Sequence, residues 1–164
     1  VQRDLEKEFV QQLEENQNIV HKICRLYTND ADSHNDLFQE VTIQLWRAYP
    51  KFRGDSKFST WMYRVALNTA ITLYRKKKRR VDTASYEQIE FKATEQDYDD
   101  ETNEQLTLLY SAVKQLNDIE KALVFLYLED KNYKEISATL GISEVNARVK
   151  MNRVKTKLTK IINP

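Results

Sequence analysis

The sequence predicts an all-α protein of two small helical domains joined by an acidic flexible linker, and three observations carry that prediction. Only two Gly and two Pro occur in 164 residues, too few turn-formers for a many-stranded sandwich or barrel. Apolar residues recur at three-to-four spacing in both ends of the chain, the period of an amphipathic helix. Between those ends, residues 83–105 hold eight acidic groups against Lys92 alone, with isolated apolar side chains. Such a composition cannot bury enough surface to fold by itself. The boundaries follow as a first domain at 1–80, a linker at 81–105 and a second domain at 106–164.

In the first domain, Leu5, Phe9, Val10, Leu13, Ile19, Val20, Ile23, Cys24 and Tyr27 form one stripe of a helix or broken helix pair. His21 and Cys24 lie on or beside that stripe and read as packing residues. A second helix is expected near Ser33–Asn35, where Ser33 and Asp36 have capping-box spacing. It carries Leu37, Phe38, Val41, Leu45 and Trp46, and Pro50 should stop it. After the loop Pro50–Lys57, Ser59 can cap a third helix running to about Arg80, with Phe58 as a hydrophobic staple and Met62, Val65, Ala66, Ala70 and Leu73 as its stripe.

The second domain opens with Leu106–Leu116. Asn117 with Glu120 caps a helix bearing Ile119, Leu123, Val124 and Tyr127, and Asn132 with Glu135 repeats the spacing before a short helix ending at Leu140-Gly141. Ser143 then begins the last helix, striped by Val145, Val149, Val154, Leu158 and Ile161. A short helix, a tight turn and a longer basic helix make a helix-turn-helix pattern. Gly141 supplies the positive φ such a turn needs, and Ser137 is small enough for the two helices to cross closely.

Charge is segregated although the net is only +1, from 26 Lys and Arg against 25 Asp and Glu. Arg75–Arg80 is six cations in a row, and Val145–Pro164 carries six basic residues and no acid. Dense like-charge blocks face solvent or a charged partner. The lone Cys24 and two His residues exclude an internal disulfide and a Cys/His zinc cage. Asp36 and Glu40 stand one turn apart with no third ligand at metal spacing, and there is neither a Gly-rich phosphate loop nor a nucleophile–base pair. No catalytic residue, metal or cofactor is therefore expected. The longest apolar run, Ala122–Leu128, is far short of the roughly 20 residues that span a bilayer. A cytoplasmic protein without membrane insertion of its own is the expectation.

The last helix offers Asn146, Arg148, Lys150, Asn152, Arg153 and Lys155 to a partner. Arg can read guanine bidentately, Asn can read adenine, and Lys mostly meets phosphate. The segment from Phe52 to Arg64 interleaves aromatics with cations, which suits unstacked bases, although Trp61 and Tyr63 could equally be core. The run from Arg75 adds phosphate contacts.

Three segments resemble the extracytoplasmic-function (ECF) group of bacterial sigma factors. Asp36-Leu37-Phe38-Gln39-Glu40-Val41 followed by Leu45-Trp46-Arg47 is similar to the group's polymerase-binding helix. The stretch Phe52-Arg53-Gly54-Asp55-Ser56-Lys57-Phe58 through Asn68 is similar to its promoter-melting segment, and Tyr133-Lys134-Glu135-Ile136 through Ser143 to the helix-turn-helix of region 4. The resemblance implies a region 2 of three to four helices at 1–80 and a region 4 at 106–164. It implies that Asp36, Gln39, Glu40 and Thr42 face the β′ clamp helices of core RNA polymerase. Phe52, Arg53, Lys57, Phe58, Trp61, Arg64 and Asn68, with Arg75 and Lys76, would hold the −10 element. Asn146, Arg148, Val149, Asn152, Arg153 and Lys155 would meet the −35 duplex. The implied partners are core polymerase, through β′ and the β flap, promoter DNA and an anti-sigma factor. Two places depart from the group's pattern: Val145–Lys150 at the start of the last helix, and Thr72 where an acid is usual. A free-standing helix-turn-helix regulator is the alternative, but it leaves the Gln39-Glu40 helix and the aromatic loop without a task. A nucleic-acid-processing enzyme lacks a catalytic set, and a purely protein-binding adaptor leaves the basic blocks unused.

Overall fold

A computed structural model describes residues 2–83 and 104–164. The expected linker, apart from its ends, lies outside the described residues. Seven helices follow in order: α1 (Gln2–Tyr27), α2 (Ala31–Ala48), α3 (Phe58–Thr83), α4 (Glu104–Val113), α5 (Asp118–Leu128), α6 (Tyr133–Leu140) and α7 (Glu144–Ile162). No strand occurs among the described residues. The protein is all-α, with a first half made of α1–α3 and a second half made of α4–α7.

Local chemistry sets most of the boundaries. α1 runs unbroken rather than as a pair. The cap of α2 lies three residues before the expected Ser33, because Asp30 in extended conformation accepts the Ser33 N–H at 2.7 Å and so takes the capping role. Pro50 sits within a 3₁₀ turn, Tyr49–Lys51, that follows α2. Both Asn capping boxes form as the sequence predicts: Asn117 with Glu120 starts α5, and Asn132 with Glu135 starts α6. Gly141 ends α6 at φ 71°, and Ser143 accepts the Asn146 N–H at the start of α7. The Ser137 hydroxyl donates to the Ile142 carbonyl, tying the short helix to the turn.

The buried stripe of α7 corrects the sequence reading. Ala147, Met151 and Val154 face the core, whereas Val145 and Val149 are exposed. At 100° per residue, Ala147, Met151, Val154 and the half-buried Leu158 fall on one side, with Val145 and Val149 on the other. A small alanine and a flexible methionine thus do the packing that the bulkier valines were expected to do.

The two halves share one continuous core. α1, α2 and α3 bury Val20, Ile23, Leu37, Val41, Leu45, Met62 and Ala66, while the second half buries Leu123, Leu126, Ile136, Met151 and Val154. α3 also packs on α5 and α6, and α1 on α5. That explains why Tyr63, Leu67 and Ile71 are buried beyond the expected α3 stripe. Tyr63 meets the Phe125 ring at 5.8 Å, and its hydroxyl donates to Glu129, which also pairs with Lys22 at 2.9 Å. The Tyr27 hydroxyl donates to the Asp118 carbonyl at 2.7 Å, and Arg75 pairs with the Asp118 carboxylate.

Candidate polymerase and nucleic-acid surfaces

On α2, burial of His34, Leu37, Val41 and Leu45 fixes which residues face away from the protein. Helical phase places Asp36, Gln39 and Ile43 on the outward strip. Asp36 and Gln39 are exposed, and so is Ile43, at 43 %. Glu40 and Thr42 sit on opposite flanks, both half-buried. Glu40 accepts from the Gln44 amide at 3.0 Å, and the Thr42 hydroxyl donates back to the Phe38 carbonyl at 2.9 Å. Of the four expected polymerase-facing residues, Asp36 and Gln39 lie on the strip, Glu40 borders it on the side toward α3 and Thr42 on the opposite side. Ile43 was not on the expected α2 stripe, and the phase of the burial places it outward.

The end of α3 approaches this region. An open cleft of about 490 Å³ is lined by Asp36 and Glu40 on one side and by Lys76, Lys77 and Arg80 on the other. The basic run and the α2 carboxylates thus face each other across solvent, and Lys76 looks toward α2.

The loop between α2 and α3 is braced by a cluster of aromatic rings. Phe52 lies 5.1 Å from Trp61 and 5.9 Å from Phe58, and Tyr49 touches Phe52, Phe58 and Trp61 at 6.2 Å each. Phe9 extends the cluster to Trp46 and Tyr49. Phe58 is buried and Phe52 and Trp61 are half-buried, so Phe58 serves as an anchor and has no face left for a base. Arg53, Lys57, Arg64 and Asn68 are exposed. The backbone turns at Gly54, with φ 74°, and no atom lies within 4 Å of where its Cβ would be. The cluster holds a short cationic loop outward on a rigid base, at the start of the exposed Arg64 and Asn68 face of α3.

Arg75 is exposed but committed in this arrangement to Asp118. Tyr63 is likewise turned into the second half, and burial followed by the Glu129 carboxylate raises its phenol above the usual range.

The helix-turn-helix brings its residues together. Asn146, Arg148, Asn152, Arg153 and Lys155 are all exposed along α7, with Val149 between them. The Arg148 guanidinium lies over the Tyr133 ring at 5.3 Å, and the Lys155 ammonium over Tyr127 at 4.6 Å. Lys157 pairs with Glu120 at 3.0 Å. No group of three or more His, Cys, Asp and Glu able to hold a metal occurs among the described residues. No described helix is long and apolar enough to cross a membrane.

Comparison with known proteins agrees with this layout. Residues 13–80 match sigma-70 region 2, and residues 106–158 match sigma-70, region 4. The chain is 29 % identical over 158 residues to the RNA polymerase sigma-H factor of Pseudomonas aeruginosa, covering 88 % of this chain and 82 % of that protein. It is 27 % identical over 157 residues to the ECF RNA polymerase sigma-E factor of Escherichia coli, with the same coverage. Among solved structures, the sigma factor RpoE in complex with the anti-sigma factor NepR from Bartonella quintana is similar at a TM-score of 0.79. That likeness has 16 % identity and covers 95 % of this chain and 97 % of RpoE. CnrH in complex with the cytosolic domain of CnrY is similar at 0.68, with 18 % identity over 96 % of this chain and 89 % of CnrH. An α1–α3 half matching region 2, followed in order by a helix-turn-helix half matching region 4, shows that the chain belongs to the sigma-70 family, in its ECF group of RNA polymerase sigma factors.

Proposed function

We infer that the sigma-factor task of binding core RNA polymerase, choosing a promoter and opening it is divided among three surfaces. The outward strip of α2 (Asp36, Gln39 and Ile43, with Glu40 at its flank) docks on the β′ clamp helices. The aromatic-braced loop, through Arg53 and Lys57 and on to Arg64 and Asn68, holds the unpaired −10 strand. α7 lies in the −35 major groove. This division follows the limits 1–80 and 106–164, with region 4 also meeting the β flap. The chain itself contributes binding and strand opening in the cytoplasm, and bond formation is the polymerase's work. An anti-sigma factor is a proposed partner, since RpoE and CnrH were each solved with a bound protein.

The carrying observation is that one chain exposes two cationic surfaces of different build. One is a capped helix-turn-helix suited to duplex, and the other is a loop anchored by Phe52, Phe58 and Trp61. A free-standing duplex reader has no use for the second. A promoter carrying a pre-melted −10 bubble separates the two roles. Lys57→Ala should initiate poorly on closed duplex and recover on the bubble if the loop assists melting. Arg153→Ala should lose promoter choice on both templates, because its groove stays double-stranded. Loss of one bidentate base contact costs roughly 1–3 kcal/mol. Normal initiation by both variants on both templates would remove the residue assignments.

A further inference from the structure

We propose that α7 reads thymine in the duplex through its methyl group, with Val145 and Val149 as the contacting side chains. This rests on the reading of α7 as the duplex-reading helix and adds a specificity to it. The side of α7 opposite Ala147, Met151 and Val154 is occupied, from the N-terminal end, by Val145, Val149, Asn152, Arg153 and Thr156. Val145 is 69 % exposed and Val149 41 %.

The cations on the flanks are drawn aside, and Arg153 stands on the strip one turn beyond Val149. Arg148 lies over Tyr133 and Lys155 over Tyr127 on one flank, and Lys157 is paired with Glu120 on the other. The centre of the strip at its N-terminal end is therefore apolar between two basic edges. Those edges suit the two phosphate backbones that wall a groove.

In a helix-turn-helix, the N-terminal residues of the second helix are the ones that reach base edges. Of the groups that base pairs show in the major groove, the thymine C5-methyl is the apolar one. The amino, carbonyl and ring-nitrogen positions of other bases would lose water against a valine and gain no partner. Asn152 lies three residues beyond Val149 on the same strip, and its amide can pair with adenine N6 and N7. Adenine's partner carries the methyl, so the two kinds of contact are compatible in one A·T-containing site.

The test uses holoenzyme made from the full chain and core polymerase, on a promoter located by mapping transcript starts. Each thymine in the −35 duplex is replaced singly by uracil, which removes the methyl and keeps every hydrogen-bonding group. At one or two positions the affinity should fall about fourfold, the equivalent of about 0.8 kcal/mol for one methyl-sized group returned to water. The double variant V145A/V149A should bind parent and uracil duplexes equally at those positions while binding core polymerase without DNA as the parent does. The proposal is overturned if no uracil substitution costs more than twofold. It is overturned too if the double variant keeps the methyl preference, or if that variant loses core affinity, which would assign the valines to a protein contact. If no promoter is transcribed at all, the sigma-factor reading fails first, before any uracil is introduced, and this proposal falls with it.

Discussion

His21 and His34 meet at 2.9 Å between Nδ1 and Nε2, one ring donating and the other accepting, and His21 stacks on Phe38 at 4.4 Å. Burial lowers the pKa of both, with the Arg25 charge adding to each and His21 adding to His34. The pair joins α1 to α2 in its neutral form. Unfolded, each imidazole has its ordinary value of 6.5 and takes up a proton more readily than in the fold. Stability should therefore be intact at pH 7 and fall as the pH drops below about 6.5. Thermal melts at pH 7 and pH 5 check this, with His34→Gln expected to lose less between them than the parent. Equal losses would show that other groups carry the acid sensitivity. At this scale the sequence was half legible. His21 reads as a packing residue from its place on the α1 stripe, but its partner thirteen residues on is chosen by how two helices cross, which no local pattern records.

At the scale of elements, what was legible is what is settled within four residues. The Asn117 and Asn132 boxes, the Gly141 turn and the Ser143 cap all satisfy their own backbone groups and need no tertiary partner. The start of α2 was placed late because Ser33 has Asp36 at capping-box spacing, whereas the cap actually used, Asp30, is set by its extended backbone conformation. The α7 stripe was misread for a different reason. Val145 and Val149 obey helical spacing, but spacing alone cannot say which of two faces is inward. On α2 the expected stripe left out Ile43, and the outward strip gives the element's own test. Gln39 is exposed at its centre, so Gln39→Lys should leave the fold unchanged by circular dichroism. It should weaken binding to core polymerase by about 1–2 kcal/mol if that strip meets a basic surface, because like charges then oppose across the interface. Undiminished binding by the folded variant would move the docking site elsewhere.

For the whole molecule, the consequential feature is the shared core between the two halves, which the two-domain reading of the sequence did not foresee. Apolar stripes identify the helices that pack but not the contact between separately folded groups. A compact body of this length is roughly 40 Å across. Elements centred near −10 and −35 are about 25 base pairs apart, ~85 Å along the duplex axis. Engaging both at once requires the contacts of Tyr27, Tyr63 and Arg75 with the second half to break. Lys121 lies at the centre of that contact, 3 % exposed, with its ammonium 4.4 Å from the Tyr74 ring centre and 5.5 Å from that of Tyr27. Burial lowers its pKa to about 8, with Lys114 and Lys78 adding to the effect and Asp118 opposing it; Arg75 lies beyond on Asp118. On separation Lys121 would regain its ordinary 10.5 and bind a proton between those values, so raising the pH from about 8 to 10 should favour the closed arrangement. Energy transfer between labels at Thr72→Cys and Asn163→Cys reads the separation. Cys24 should stay unlabelled, since it is buried and its thiol is pushed up to about 12. Transfer should be high in the free protein, higher at pH 9.5 than at pH 7.5, and low in the promoter complex. Equal transfer free and bound would mean that the halves do not part.

The central claim is that this chain gives core polymerase its promoters, and mapping transcript 5′ ends tests it most directly. Core polymerase, genomic DNA and nucleotides are incubated with and without the protein. The expected result is a set of starts absent from core alone, each preceded by two short shared sequence blocks about 25 base pairs apart. The same starts with and without the protein, together with footprints at two-fold-related half-sites in the absence of polymerase, would contradict it and leave a free-standing duplex-binding regulator in its place.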